Sequence, residues 1–248
     1  MGVLKLGTPK YYFFKLSDER ELPRELGLSS NISESFYSHS SSIISSINYC
    51  QSLIQTIIYS THHSEVMKAG YAIKNLHSTR SRMDFLNTFN DVGNDFVLNT
   101  VFQYAKKLFV SVYGLRNSLA HDIWFFSPKY PDCLLLSSLD NDARLLFTSG
   151  KLKHIRGTTA EDIHKGIIDY IDNVKMIDMA GIANALSDIH LCNWILLQIS
   201  LVIEENDPQQ KDNLKKAFFI FRGVSHLFPE SERQDGKVDW SGASSHSI

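Results

Sequence analysis

Cysteine is scarce in this chain. Cys50, Cys133 and Cys192 are widely separated and form no CxxC pair. That pattern disfavours a disulfide framework and a zinc site, and it suits a reducing compartment. Proline is scarce too, 6 residues against 15 phenylalanines and 10 tyrosines, which argues against a disordered chain. Charge of one sign is missing. The 25 basic and 27 acidic residues leave a formal net charge of −2, so no general field draws the protein to nucleic acid and any such contact must rest on a local patch. No apolar run approaches the roughly 20 residues that a membrane crossing needs. The longest, Trp194 to Ile203, is interrupted by Gln198 and Ser200 and reads as a buried helix. Met1 to Leu6 lack the apolar core and cleavage site of a signal peptide, and position 6 lacks the hydroxyl of a myristoylation motif. There is no glycine-rich phosphate loop. A soluble, cytoplasmic protein with no membrane association is expected.

What is present is an ordinary globular composition, 43% apolar over 248 residues, enough for one large domain or two small ones with a sound core. Residues 1–30 join an aromatic cluster, Tyr11 to Phe14, to a charged run from Asp18 to Glu25, and read as an N-terminal arm. From Phe36 the spacing turns helical. Phe36, Ser40, Ile43, Ile44, Ile47, Cys50, Ile54, Ile57 and Ile58 recur at three and four, with Asn31 or Ser33 available as a cap. A more polar second helix is expected over Ser64 to Phe89. The third is the clearest, its stripe running Val97, Val101, Tyr104, Leu108, Val112, Leu115 and Leu119. Gly114 lies within it at a cost of roughly 1 kcal/mol relative to alanine, which points to close backbone packing.

The periodicity changes after His121. Pro128, Pro131 and Asp140-Asn141-Asp142 punctuate short apolar runs, of which Cys133–Leu136 and Arg144–Phe147 read as the strands of a β-hairpin. Helical spacing resumes with Thr159 as cap and Ile163, Ile167, Ile171, Val174 and Ile177 as its stripe. Further helices are expected from about Ala180 to Glu204 and from Lys211 to Phe228. The fold class is therefore all-α: a bundle of five or six helices over 31–228, with a small hairpin inserted around 130–150 and a disordered tail over 229–248.

The segment richest in chemistry is Arg116-Asn117-Ser118-Leu119-Ala120-His121. Arginine offers a planar fork of donors for a phosphate, and histidine moves protons near neutral pH. RNA carries its own nucleophile, the 2′-hydroxyl. An enzyme need only deprotonate it, stabilise charge on phosphorus and protonate the departing 5′ oxygen. His121 would serve as base or acid, Arg116 would neutralise the transition state, and Asn117 would orient the histidine or hold the phosphate. Five positions on a helix correspond to roughly 7.5 Å of rise and ~140° of rotation, so the helix alone does not bring Arg116 and His121 to one atom. Both flank the buried face, and a two-fold dimer would gather them with their symmetry mates around one cleft. The spacing itself is weak evidence, since such a pair arises about once by chance in a chain of this composition.

The asparagine after the arginine, the Leu119-Ala120 before the histidine and the place at the end of a long amphipathic helix add context. Together they resemble the HEPN superfamily of helical-bundle proteins, whose hallmark is arginine, a polar residue, a short gap and histidine. The resemblance covers about Phe36 to His121. It implies a metal-independent endoribonuclease acting as a homodimer, in a toxin–antitoxin or phage-defence setting, with an antitoxin or other regulatory partner. Arg116, Asn117 and His121 would be its catalytic residues, with no metal and no cofactor. Some members of that superfamily lack nuclease activity and act as interaction modules, which is the alternative function here. A purely structural role would instead pair Arg116 with an acid such as Asp122 and leave His121 on the helix C-terminal dipole. Lys74, Arg80 and Arg82, with Lys106 and Lys107 on the motif helix, are the candidate RNA contacts. Trp124-Phe125-Phe126 and Tyr11 to Phe14 read as packing rather than as base-stacking platforms. His62-His63 point ~100° apart on a helix and make a poor metal pair.

Overall fold

In the computed structural model the described residues are 14–15, 27–28, 33–62, 92–138, 140, 165, 170 and 173–229. Among them the chain is mostly helical with a small antiparallel sheet. In chain order the elements are β1 (Phe14–Lys15), β2 (Gly27–Leu28), α1 (Glu34–Thr61), α2 (Phe96–His121), β3 (Ile123–Phe126) and β4 (Cys133–Ser137). There follow β5 (Lys175–Asp178), α3 (Met179–Glu204), α4 (Pro208–Ile220) and α5 (Arg222–Ser225). The expected second helix over Ser64 to Phe89, the strand at Arg144–Phe147, the stripe from Ile163 to Ile171 and the tail beyond Pro229 lie outside the described residues, as does all of the arm except β1 and β2.

The chain divides into two compact units, one made of 1–5, 53–105 and 194–248, the other of 6–52 and 106–193. The second unit contains the sheet and the Arg116–His121 segment. On α1 the spacing of apolar residues is matched by burial: Phe36, Ser40, Ile43, Ile47, Cys50, Ile54, Ile57 and Ile58 are all buried, with Ile44 partly so. On α2 the buried face is broader than the stripe read from sequence. Val101, Val112, Leu115 and Leu119 are buried as expected, but Leu98, Phe102, Ala105 and Phe109 join them while Val97, Tyr104 and Leu108 stay half-exposed.

The sheet has the order β1-β5-β4-β3-β2, every pair antiparallel. Its hairpin differs from the expected one. β4 pairs with the preceding β3, Trp124 opposite Leu136 and Phe125 opposite Leu135, so the run read as helix-end packing is a strand. The reason is local. Ile123 to Phe126 are β-branched and aromatic, and the Ser127–Asp132 turn closes the hairpin through Tyr130 N–H to the Ser127 carbonyl (3.0 Å) and Cys133 N–H to the Tyr130 carbonyl (3.1 Å). On its other side β4 pairs with β5, Leu134 opposite Ile177 and Leu135 opposite Met176. Val174 and Ile177, expected on a helix, thus precede and occupy a strand. Their spacing of three fits a helix equally well, and only the pairing with β4 decides. Leu135 and Val174 pack together, with Phe125, Tyr130 and Tyr170 against them.

α3 is long and apolar enough to cross a membrane, with mean hydropathy 1.5 over its best window, a property hidden when only uninterrupted apolar runs are counted. Its buried residues, Ile182, Ala185, Ile189, Cys192, Ile195, Leu196, Ile199 and Val202, lie mostly at steps of three and four and give the helix one buried face, and 39% of that window is buried. α4 starts on Asp207, whose carboxylate accepts from Gln209 N–H (2.8 Å) with Pro208 in the first turn. The helix expected to run on to Phe228 breaks at Phe221, where the backbone is extended.

Candidate functional site

α2 carries an acid before its start and the motif at its end. Asp95 caps the helix, Oδ1 accepting from Val97 N–H (3.0 Å) and Leu98 N–H (3.1 Å), and its other oxygen meets the Lys215 ammonium of α4. Burial raises the Asp95 carboxyl, but the Lys215 hydrogen bond and charge, with the Leu98 and Val97 amides, outweigh it and hold the group below its ordinary value. The helix ends at His121.

Within the motif Leu115, Ser118 and Leu119 are buried, Arg116 and Asn117 are half-buried, and Ala120 and His121 are exposed. Arg116 Nη1 donates to Asn117 Oδ1 at 3.2 Å and stands 3.4 Å from His121 Nε2. The expectation that a single helix would keep the two side chains apart is therefore corrected. The arginine side chain is long enough to lean along the last turn and close the ~140° offset. A guanidinium has no acceptor, so this contact is a hydrogen bond only in the tautomer in which Nε2 accepts and Nδ1 carries the proton. At 3.4 Å the contact is weak and easily exchanged for a better acceptor. Arg116 Nε and the Tyr113 hydroxyl are buried and have no hydrogen-bond partner among the described residues. Arg116 makes no ion pair with a carboxylate among the described residues.

Asp122, the acid that a structural role would give to Arg116, is committed elsewhere. Lys175 Nζ on β5 lies 3.3 Å from Asp122 Oδ2 and donates to Ser118 Oγ at 2.7 Å. Trp124 Nε1 donates to the Leu119 carbonyl at 3.2 Å, satisfying one of the acceptors a helix end leaves open. The Trp124 ring stacks on Tyr37 of α1, centroids 5.1 Å apart. The arrangement is a donor-rich guanidinium edge, an amide and an imidazole at a helix end held by the neighbouring sheet. It can bind an anion and exchange a proton beside it.

Comparison with family models, curated proteins and solved structures finds no match.

The other candidates divide. Lys107 is exposed on α2, whereas Lys106 is 8% exposed and burial lowers its ammonium pKa, so of the two only Lys107 offers its charge to solvent. Lys74, Arg80 and Arg82 lie outside the described residues. His62 is half-buried, and His63 lies outside them. Among the described residues no group of three His, Cys, Asp or Glu side chains is placed to hold a metal ion. Sequence reasoning missed Lys175 and the tie from Trp124. Lys175 sat in a segment read as helix, and a lone lysine 53 residues from Asp122 carries no spacing signal.

Proposed function

We propose that the protein is a metal-independent endoribonuclease of the HEPN type, cleaving RNA by attack of its own 2′-hydroxyl. The observation that carries this reading is the contact of Arg116 Nη1 with both Asn117 Oδ1 and His121 Nε2. A phosphodiester oxygen is a stronger acceptor than a neutral imidazole nitrogen. On binding it would take the guanidinium and leave the His121 lone pair free. The 2′-oxygen then forms its bond to phosphorus while the bond to the 5′ oxygen breaks. One imidazole accepts the 2′ proton, and a protonated group opposite delivers one to the departing oxygen. The ends left are a 2′,3′-cyclic phosphate and a 5′-hydroxyl.

In-line displacement needs base and acid on opposite sides of phosphorus, and each chain supplies one motif histidine. A second copy meets that need. Lys107, Val110, Gly114, Asn117 and His121 form a stripe with steps of three, four, three and four along the exposed side of α2, and Val110 is 52% exposed. A Cβ built at Gly114 would meet nothing within 4 Å, so packing among the described residues does not require the glycine there. A close approach by another backbone would. Homodimerisation along this stripe belongs to the same proposal, with Lys107 as a phosphate contact. The toxin or phage-defence setting, the regulatory partner and the cytoplasmic location rest on the resemblance of the motif alone.

The test is incubation of purified protein with mixed RNA in excess EDTA, beside Arg116→Ala and His121→Ala. Cleavage by the wild type alone, leaving cyclic phosphate ends, is expected. An active His121→Ala protein sinks the assignment.

A further inference from the structure

We infer that Lys175 is a positioning residue for His121, acting from the sheet on the last turn of α2; the inference rests on the nuclease reading above. A helix's final turn is where it frays, because its carbonyls lack intrahelical partners. The motif places its imidazole on that turn, at the last helical residue. Ser118 and Asp122 lie one turn apart and bracket Leu119 to His121, and Asp122 N–H closes the turn on the Ser118 carbonyl at 2.9 Å. Lys175 Nζ reaches both side chains, Ser118 Oγ at 2.7 Å and Asp122 Oδ2 at 3.3 Å.

The geometry of the lysine favours clamping. Ser118 is buried and the Asp122 side chain is 10% exposed, while the Lys175 side chain is 43% exposed, so the contact is sheltered on the helix side and solvated on the lysine side. β5 is the second neighbour of β3, across β4, and β3 is the strand that leaves α2 directly after Asp122. Lys175 therefore ties the helix end back onto the sheet into which the chain has just run. With Trp124 holding the Leu119 carbonyl, the turn bearing His121 is fixed on two sides, while His121 itself remains exposed. This is the support a catalytic side chain at a helix end needs, since misplacement by about 1 Å can cost up to roughly 100-fold in rate.

The test compares Lys175→Met, Lys175→Arg and wild type by steady-state cleavage and by 15N spectra of selectively labelled histidine. Lys175→Met is expected to lower kcat about 10- to 100-fold with KM nearly unchanged, and to shift the His121 ring nitrogens. Lys175→Arg, which keeps a cation with several donors, is expected to restore most of both. A raised KM at unchanged kcat would overturn the inference, because it would make Lys175 a substrate contact. Should Lys175→Met unfold through the Asp122 charge it strands, the double variant Lys175→Met/Asp122→Asn removes that charge and is read in the same way. Should the wild type cleave no RNA, the nuclease reading fails and the spectra still decide on the clamp. Unchanged His121 nitrogens in the folded lysine variant overturn it, and displaced ones support it.

Discussion

Replacing Asp95 tests how α2 is started and whether that start is electrostatic. Its carboxylate accepts from the Val97 and Leu98 amides and pairs with Lys215, both partners about a quarter exposed. Losing a capping side chain to alanine costs about 1 kcal/mol, and an ion pair that is still partly solvated adds up to about 1 kcal/mol. Asp95→Ala should therefore cost about 1.5–2 kcal/mol near pH 7, and Asp95→Asn, which keeps an acceptor oxygen, about 0.5–1 kcal/mol. In a chain of this size each kcal/mol lowers Tm by about 2–4 °C. The folded pKa of Asp95 is depressed, so its charge stabilises above the unfolded value of about 3.9 and that contribution is lost as pH falls through the lower folded value. Urea unfolding of the three proteins near pH 7 and again at about pH 2.5 reads both terms. The Asn deficit should shrink toward the acid end, while part of the Ala deficit persists because a protonated carboxyl still accepts from the amides. An Asn deficit independent of pH, or Asn and Ala equal near pH 7, would refute the division into cap and charge.

Trp124→Phe keeps an aromatic ring beside Tyr37 but deletes the donor to the Leu119 carbonyl, and should cost about 0.5–1.5 kcal/mol in urea unfolding. Phe109→Ala empties a fully buried site beside Tyr113, with an expected loss of about 3–5 kcal/mol by the same measurement. Gly114→Ala should raise chain stability by up to about 1 kcal/mol, since its Cβ meets no neighbour. In light scattering, Val110→Arg should convert a dimer to monomer if the α2 stripe is the contact; a dimer that survives it uses another face. Burial and the neighbouring Cys50 push the Cys192 thiol up, and Cys50 itself donates to Asn193 Oδ1 at 2.9 Å. Native alkylation followed by mass spectrometry should therefore mark Cys133, which is partly exposed, well before either of the others.

The long helices were legible because burial repeats with the helical period. The isoleucines of α1 and the residues of α3 announce their buried faces without reference to any partner. β4 was legible as a strand for a local reason too, a short apolar run bounded by Pro131 and by Asp140-Asn141-Asp142. Its partners were not. Pairing of Cys133–Ser137 with Ile123–Phe126 and Lys175–Asp178 depends on which segments meet, and Val174 to Ile177 read as helix until β4 lies beside them.

The motif stands on the same divide. Local pattern was enough to locate Arg116, Asn117 and His121 at the end of an amphipathic helix, because periodicity and helix length follow from side-chain type and spacing. Contact between Arg116 and His121 depended on a side-chain conformation that an ideal helix wheel does not contain. The alternative that paired Arg116 with Asp122 fails for a related reason. Proximity in sequence favoured Arg116, but the sheet delivers Lys175 to the helix end, and an ion pair forms with the charge that arrives within about 4 Å in three dimensions. Sequence alone determined the helical periods and the chemical types at the helix end. Tertiary structure decided which groups touch, because contacts between distant segments are set by packing and not by spacing along the chain.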